Sequence, residues 1–270
     1  KQIMPSKRPI GIFDSGIGGL SVLHHIRKLL PAENLIYVSD RAHLPYGNKA
    51  GEFILDRSEH IAGFLVQQDV KAIVIACNTA TAVAVAHLRQ HFPLPIVGME
   101  PGVKPATQTS RNGMIGVLAT EGTLVSGKFR NLVEQHSNGA DIFYCPCHGW
   151  VETIELNGAS HDKTYQMVER ELMPLLEKGV DTLVLGCTHY PFIKATIQQV
   201  AGSLITIIDT GEAVANQLRR RLTEEDILSP APPPGREDYW CSASPENTRQ
   251  LIEKIQGHPC IVKRLPQQDC

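Results

Sequence analysis

Two stretches of the chain share one design. Ala72-Ile73-Val74-Ile75-Ala76-Cys77-Asn78-Thr79 and Thr182-Leu183-Val184-Leu185-Gly186-Cys187-Thr188-His189 each run from a short apolar segment through a small residue to a cysteine, then to polar residues and a helix pattern. Short apolar runs of this kind, bounded by polar positions, read as strands buried on both faces, as in a parallel sheet. A cysteine at the carboxyl end of such a strand sits where open α/β sheets place their ligands. One such cysteine suggests a thiol nucleophile. Two, in matching settings, suggest a pair of thiols facing one substrate from opposite sides.

The match extends beyond the cysteines. Ile10-Gly11-Ile12-Phe13-Asp14-Ser15-Gly16 is similar to Ile115-Gly116-Val117-Leu118-Ala119-Thr120-Glu121-Gly122, an apolar strand ending in a small polar turn before a helix pattern. Gly116 follows Gly11 by 105 residues and Cys187 follows Cys77 by 110. So close an agreement implies an internal duplication with a few residues inserted. The expected fold class is therefore α/β, with two pseudo-symmetric doubly wound parallel-sheet domains and the active site in the cleft between them.

Alternation along the rest of the chain agrees with that class. Strands are predicted over residues 10–13, 35–39, 72–76 and 96–98, with helices over 20–30, 50–68 and 81–91. The second half repeats the pattern, with strands over 114–118, 142–145, 182–185 and 205–208 and helices over 127–135, 161–177 and 191–200. A helix over 213–222 follows. The proline-rich stretch Ser229-Pro230-Ala231-Pro232-Pro233-Pro234-Gly235 then reads as a semi-rigid connector. It leads to a strand over 238–242, a helix over 245–255 and a short strand over 260–263.

Bulk properties bound the function. A chain of 270 residues, 42% hydrophobic and 20% charged, can bury a sizeable core in two domains. Its net charge of −2 gives no electrostatic reason to bind nucleic acid or an anionic membrane. No apolar stretch approaches the roughly 20 residues that span a bilayer, and no secretion signal precedes the first expected strand, so a cytoplasmic protein is expected. The seven cysteines are an odd number spread over a long chain, which does not resemble a disulfide framework. Cys145-Pro146-Cys147-His148 packs three possible ligands together, but without the spacing or the second pair that zinc requires. Free thiols and no metal site are expected.

A thiol is mostly protonated near neutral pH, and a helix that begins just after it favours the anion. Thr79-Ala80-Thr81 and Thr188-His189-Tyr190-Pro191 are suitable helix starts, Pro191 fitting a first turn. Asp14 after the first strand and His189 beside the second cysteine are candidates to handle the thiol proton. Plain structural readings stand beside these. Asp14 also suits a cap of the first helix, His189 a structural hydrogen bond, threonines at strand ends helix caps, and a lone buried cysteine a small hydrophobe.

Taken together, Gly11-Ile12-Phe13-Asp14-Ser15-Gly16-Ile17-Gly18-Gly19, Asp40, Pro45-Tyr46-Gly47, Ala76-Cys77-Asn78-Thr79-Ala80, Ala119-Thr120-Glu121-Gly122-Thr123 and Gly186-Cys187-Thr188-His189-Tyr190-Pro191 resemble the bacterial glutamate racemases, in the family's order, over about residues 8–222. The resemblance implies cofactor-independent interconversion of L- and D-glutamate, one cysteine thiolate removing the α-proton while the other thiol delivers one to the opposite face. Cys77 would act on D-glutamate with help from Asp14, with Asp40 on the same side, and Cys187 on L-glutamate with help from His189. Glu152, in Trp150-Val151-Glu152, matches a family acidic residue near the second cysteine. Asp14, Ser15, Pro45, Tyr46, Gly47, Asn78, Thr79, Thr120, Thr123, Thr188 and His189 would hold the substrate.

The resemblance further implies a first domain of residues 1–98 and 210–270, with 99–209 as the second. It also implies a homodimer, a supply of D-glutamate for peptidoglycan, and a cell-wall precursor as an activator in some members. Two other readings are weighed against it: an aspartate racemase of the same superfamily, and a non-catalytic anion-binding protein using the Gly16–Gly19 turn.

Overall fold

A computed structural model of the chain describes residues 6–157 and 161–267. The chain divides into two compact units, Lys1–Met99 with Gly211–Cys270, and Glu100–Thr210. The first unit begins β1 (Ile10–Asp14), α1 (Leu20–Leu29), β2 (Leu35–Ser39), α2 (Gly51–Gln67), β3 (Ala72–Ile75), α3 (Asn78–His91) and β4 (Ile96–Gly98). The second comprises α4 (Val103–Thr109), β5 (Met114–Ala119), α5 (Glu121–Leu124), α6 (Gly127–His136), β6 (Asp141–Pro146), α7 (Trp150–Asn157), α8 (His161–Glu177), β7 (Thr182–Gly186), α9 (Lys194–Ala201) and β8 (Thr206–Ile208). The chain then returns to the first unit with α10 (Gly211–Glu224), β9 (Glu237–Cys241), α11 (Pro245–Gln256) and β10 (Val262–Arg264).

Each unit is built on a wholly parallel sheet. The orders are β10-β9-β2-β1-β3-β4 and β6-β5-β7-β8. The four strands β2-β1-β3-β4 therefore recur as β6-β5-β7-β8, and the register recurs with them. Phe13 pairs with Ile75 in one sheet and Leu118 with Leu185 in the other. Those residues are separated by the 105 and 110 positions that relate the two sequence halves. Every residue of β1, β2, β3 and β7 is buried, which accounts for their near-continuous apolar sequences.

The segment after the proline-rich connector completes the first sheet: β9 lies parallel to β2, and β10 parallel to β9. The connector itself is pinned to the loop between α1 and β2. Gly235 donates its N–H to Pro31 O at 2.8 Å, and Ser229 donates to the Glu33 carboxylate at 2.7 Å. A Cβ at Gly235 would lie 2.1 Å from the Glu33 carbonyl oxygen, so only glycine allows this approach. On the other face, α10 packs on α1 through Val214, Ala215, Leu218 and Leu222, the periodic apolar stripe expected of an amphipathic helix.

The structure differs from the sequence expectations at several elements. Helix α3 begins at Asn78 rather than at residue 81, because Cys77 itself is its N-cap. The expected 191–200 helix is a 3₁₀ turn, Tyr190–Ile193, followed by α9. Helices α4, α5 and α7 are additions to the expected set, and α7 carries no strong start signal. Among the described residues no cysteine is in a disulfide, and Cys270 lies outside them. No described helix is long and apolar enough to cross a membrane.

An ion pair between Lys71 and Glu33 (Nζ–Oε2 2.6 Å) is almost wholly buried. Lys71 also donates to the carbonyls of Ser6 and Ile227, tying three segments of the first unit together. Replacing Lys71 with alanine leaves a buried carboxylate uncompensated. The expected cost is about 3–5 kcal/mol, read as a lower midpoint in urea unfolding followed by circular dichroism.

Candidate active site

In open parallel sheets the ligand crevice lies outside the carboxyl ends of the strands, where the chain order reverses. In the first unit that place is the end of β1 and β3. Strand β1 ends in Asp14, wholly buried, and Ser15 follows. The Asp14 carboxylate accepts from the Gly19 N–H at 2.9 Å, closing the Gly16–Gly19 turn into α1. A Cβ at Gly19 would stand 2.8 Å from Asp14 Cβ and 3.0 Å from the Tyr37 hydroxyl, so glycine is required for this tight turn.

Cys77 follows β3 in extended conformation and caps α3, its sulfur accepting the Ala80 N–H at 3.5 Å. Its thiol also faces Ser15 Oγ at 3.8 Å, and Ser15 Oγ in turn lies 3.5 Å from Asp14 Oδ1. Thiol, hydroxyl and carboxylate thus form a chain at the amino end of a 14-residue helix. Asn78 and Thr79 occupy the first turn and are buried. Both polar atoms of the Asn78 amide are buried without a hydrogen-bond partner. Burial of an unpaired amide costs free energy that a ligand's polar groups can recover.

The Pro45-Tyr46-Gly47 loop is held from behind. Tyr46, buried in a short 3₁₀ turn, donates its hydroxyl to Asp40 Oδ2 at 2.6 Å. The same carboxylate receives Arg57 through Nε at 3.1 Å and Nη2 at 2.8 Å, with His43 3.0 Å away. Burial pushes the Asp40 carboxyl up, but the Arg57 bonds and charge, with those of Tyr46 and His43, hold it below the usual carboxylate range. Burial, and then the Asp40 charge, pushes the Tyr46 phenol well above its ordinary value. Asp40, expected as an assistant to the first cysteine, is therefore committed to Arg57 and Tyr46, and its geometry is that of a loop anchor.

The second unit repeats the arrangement with different partners. Thr120, at the end of β5, occupies the position corresponding to Ser15, and its hydroxyl lies 3.1 Å from that of buried Thr123. Cys187 follows β7. No α-helix starts at it; the 3₁₀ turn Tyr190–Ile193 intervenes. Its sulfur instead lies 3.8 Å from His189 Nδ1, and His189 Nε2 is 2.8 Å from Glu155 Oε1. Thr188, His189 and Glu155 are all buried. The sequence reading named Glu152 as the acidic residue here, but the carboxylate on His189 is Glu155. Glu152 stands one turn earlier on α7 and is half-buried. Residues Trp150, Val151 and Ile154 form the buried stripe of that helix. Glu155, four residues after Val151, falls on this stripe while Glu152 falls off it. That periodicity distinguishes the two carboxylates, and it shows only once residues 150–157 are known to be helical.

Two α/β units of matching topology, each carrying a buried cysteine at the carboxyl end of the corresponding strand beside a carboxylate-backed hydroxyl or imidazole, define a duplicated doubly wound fold with a candidate site in each unit. The family model for Asp/Glu/Hydantoin racemases matches residues 10–218, and the chain belongs to that family. It is a racemase, an isomerase. The glutamate racemase of Methylococcus capsulatus is 50% identical over 261 residues, covering 97% of this chain and 96% of that protein. Among solved structures, a glutamate racemase isoform from Bacillus anthracis superposes with a TM-score of 0.89 at 30% identity, covering 96% of this chain and 97% of that one. The Escherichia coli glutamate racemase, in complex with L-glutamate and the activator UDP-MurNAc-ala, superposes with a TM-score of 0.85 at 33% identity, covering 95% and 97%.

Two outcomes follow from these geometries. Glu155→Gln removes the charge behind His189, and racemase turnover is expected to fall by about 10²-fold; Glu152→Gln, assayed in parallel, should stay within about threefold of the parent if its loss is no more than a surface change. The Asp40 carboxyl is held low in the fold, so its stabilisation is complete above the unfolded value of about 3.9 and is lost as pH falls through the folded value. Asp40→Asn should be less stable at neutral pH, with a shallower loss of urea midpoint below about pH 4.

Proposed function

We propose that this racemase interconverts L- and D-glutamate without a cofactor, with Cys77 and Cys187 as two bases acting on opposite faces of the α-carbon. The observation that supports it most is the equivalence of the two cysteines. Each ends the strand at the same place in a repeated topology, and each has its own proton-handling partner. Glutamate is the substrate indicated by relatives about half identical to this chain over nearly its whole length, which are glutamate racemases.

The chemistry is a proton exchange. One cysteine, as thiolate, takes the α-hydrogen, and the other, as thiol, returns a proton to the opposite face. Following the resemblance, Cys77 starts the reaction from D-glutamate and Cys187 from L-glutamate. On the first side, Ser15 and Asp14 carry the thiol proton away while the amino end of α3 favours the sulfur anion. On the second side, His189 exchanges the proton, and the Glu155 carboxylate holds the imidazole and stabilises it when charged. An amino acid's α-proton is barely acidic, so donors must be in place where charge develops. The Asn78 amide can serve both an ammonium and a carboxylate of the substrate. Thr79, Thr120, Thr123 and Thr188 offer hydroxyls. The Tyr46 hydroxyl is spent on Asp40, so Pro45-Tyr46-Gly47 contributes backbone N–H groups of Tyr46 and Gly47. A cytoplasmic homodimer that feeds peptidoglycan synthesis and responds to a cell-wall precursor completes the reading.

The test is incubation with L-glutamate in D₂O, following optical rotation and α-deuterium together. Rotation should decay while deuterium enters the D-product, and either Cys77→Ala or Cys187→Ala should abolish racemisation. Turnover of aspartate in place of glutamate would reassign the substrate, and full activity in either alanine variant would refute the two-base mechanism.

A further inference from the structure

Cys145 and Cys147 play no part in the reaction just described, yet their sulfurs lie 3.6 Å apart, buried at the end of β6. Two residues of extended strand span about 6.7 Å, at the edge of the Cα separation a disulfide tolerates. Here the chain is drawn tighter. The Cys147 N–H bonds back to the Cys145 carbonyl at 3.0 Å, an i→i+2 bond that makes a γ-turn centred on Pro146, whose restricted φ suits it. Cys147 Sγ lies only 3.4 Å from the same carbonyl, which directs it toward its neighbour.

The two thiols have unlike surroundings. Cys145 Sγ is 3.9 Å from Glu171 Oε2 and 3.8 Å from the Glu171 carbonyl. The Glu171 side chain, paired with Arg170, is 24% exposed, so it joins Cys145 to solvent through a carboxylate able to accept its proton. Cys147 faces inward, toward Tyr190. Burial and the adjacent Cys145 push its thiol well above the ordinary value.

We propose that Cys145 and Cys147 are a peroxide-oxidisable dithiol that closes into a disulfide and lowers racemase activity. Cys145, giving its proton to Glu171, attacks hydrogen peroxide. Its sulfur gains one oxygen as sulfenic acid, the O–O bond breaks, and the leaving hydroxide takes up the proton as water. Cys147 then attacks that sulfur, its own proton leaving with the hydroxyl as a second water, and the S–S bond forms. Peroxide is the oxidant throughout, and the two thiols supply both electrons. Closure brings the sulfurs from 3.6 Å to about 2.05 Å. That shift falls on the turn that starts α7, where Trp150 donates to the Cys147 carbonyl at 3.4 Å. Helix α7 carries Trp150, set edge-on against Tyr190 with 5.0 Å between ring centroids, and Glu155, which holds His189 beside Cys187. The disulfide therefore acts on Cys187 through α7.

The chemical part is independent of the function proposed above, and only the effect on turnover rests on it. Intact protein is treated with hydrogen peroxide, alkylated after unfolding and digested with trypsin. Cleavage after Arg130 and Lys163 releases residues 131–163, whose only cysteines are Cys145 and Cys147. This peptide is expected unalkylated and about 2 Da lighter than the dithiol, with turnover lower by about tenfold and restored by dithiothreitol. The Cys145→Ser/Cys147→Ser double variant should retain its turnover through the same treatment. Full alkylation of both thiols in oxidised wild type, or a disulfide joining either one to another cysteine, overturns the proposal. A correctly placed disulfide with unchanged turnover, or an equal loss in the double variant, overturns the coupling through α7. Untreated enzyme that racemises nothing would refute the function above, while the peptide mass would still decide the dithiol.

Discussion

The candidate site depends on parallel pairing between a first and a third strand, made twice. Parallel strands send all their carboxyl ends to one edge of the sheet, so whatever follows Phe13 and Ile75, or Leu118 and Leu185, emerges side by side. That single register places Asp14 and Ser15 next to Cys77, although more than sixty residues separate them in sequence. The same register sets Thr120 and Cys187 at corresponding positions of the second sheet. Burial on both faces holds the register, because a slip of one residue would turn apolar side chains out of their packing.

From this shared plan the two cysteines have acquired different support. Cys77 is the cap of a long helix and has hydroxyl and carboxylate groups in line behind it. Cys187 lacks that helix, a 3₁₀ turn standing in its place, and has beside it an imidazole backed by a buried carboxylate. The repeated topology thus keeps the position of a thiol and changes the groups that surround it.

The fold was legible because its signals are local and redundant. Apolar runs of four to six residues, small residues at their ends and amphipathic helices between them can mean little besides a parallel α/β architecture. The cysteines, Asp14, Ser15, Asn78, Thr79, Thr188 and His189 were legible because each lies within a few residues of a strand end. Glu155 was not, since its partner His189 is 34 residues away and only the packing of Trp150, Val151 and Ile154 turns it inward. Asp40 shows the reverse case. The family resemblance suggested a chemical role for it, whereas Arg57 from α2 claims its charge.

The sequence by itself determined the α/β class, the repeated strand–cysteine unit and the family, since each is written in short stretches whose periodicity and residue types need no distant partner. Only the tertiary structure decided which carboxylate backs His189, that Asp40 anchors the Tyr46 loop, that β9 and β10 extend the first sheet, and that Cys145 and Cys147 meet at a turn. Each of those depends on groups brought together from separate elements or by a specific turn, where burial leaves a charge, a strand edge or a thiol to find whatever partner packing delivers.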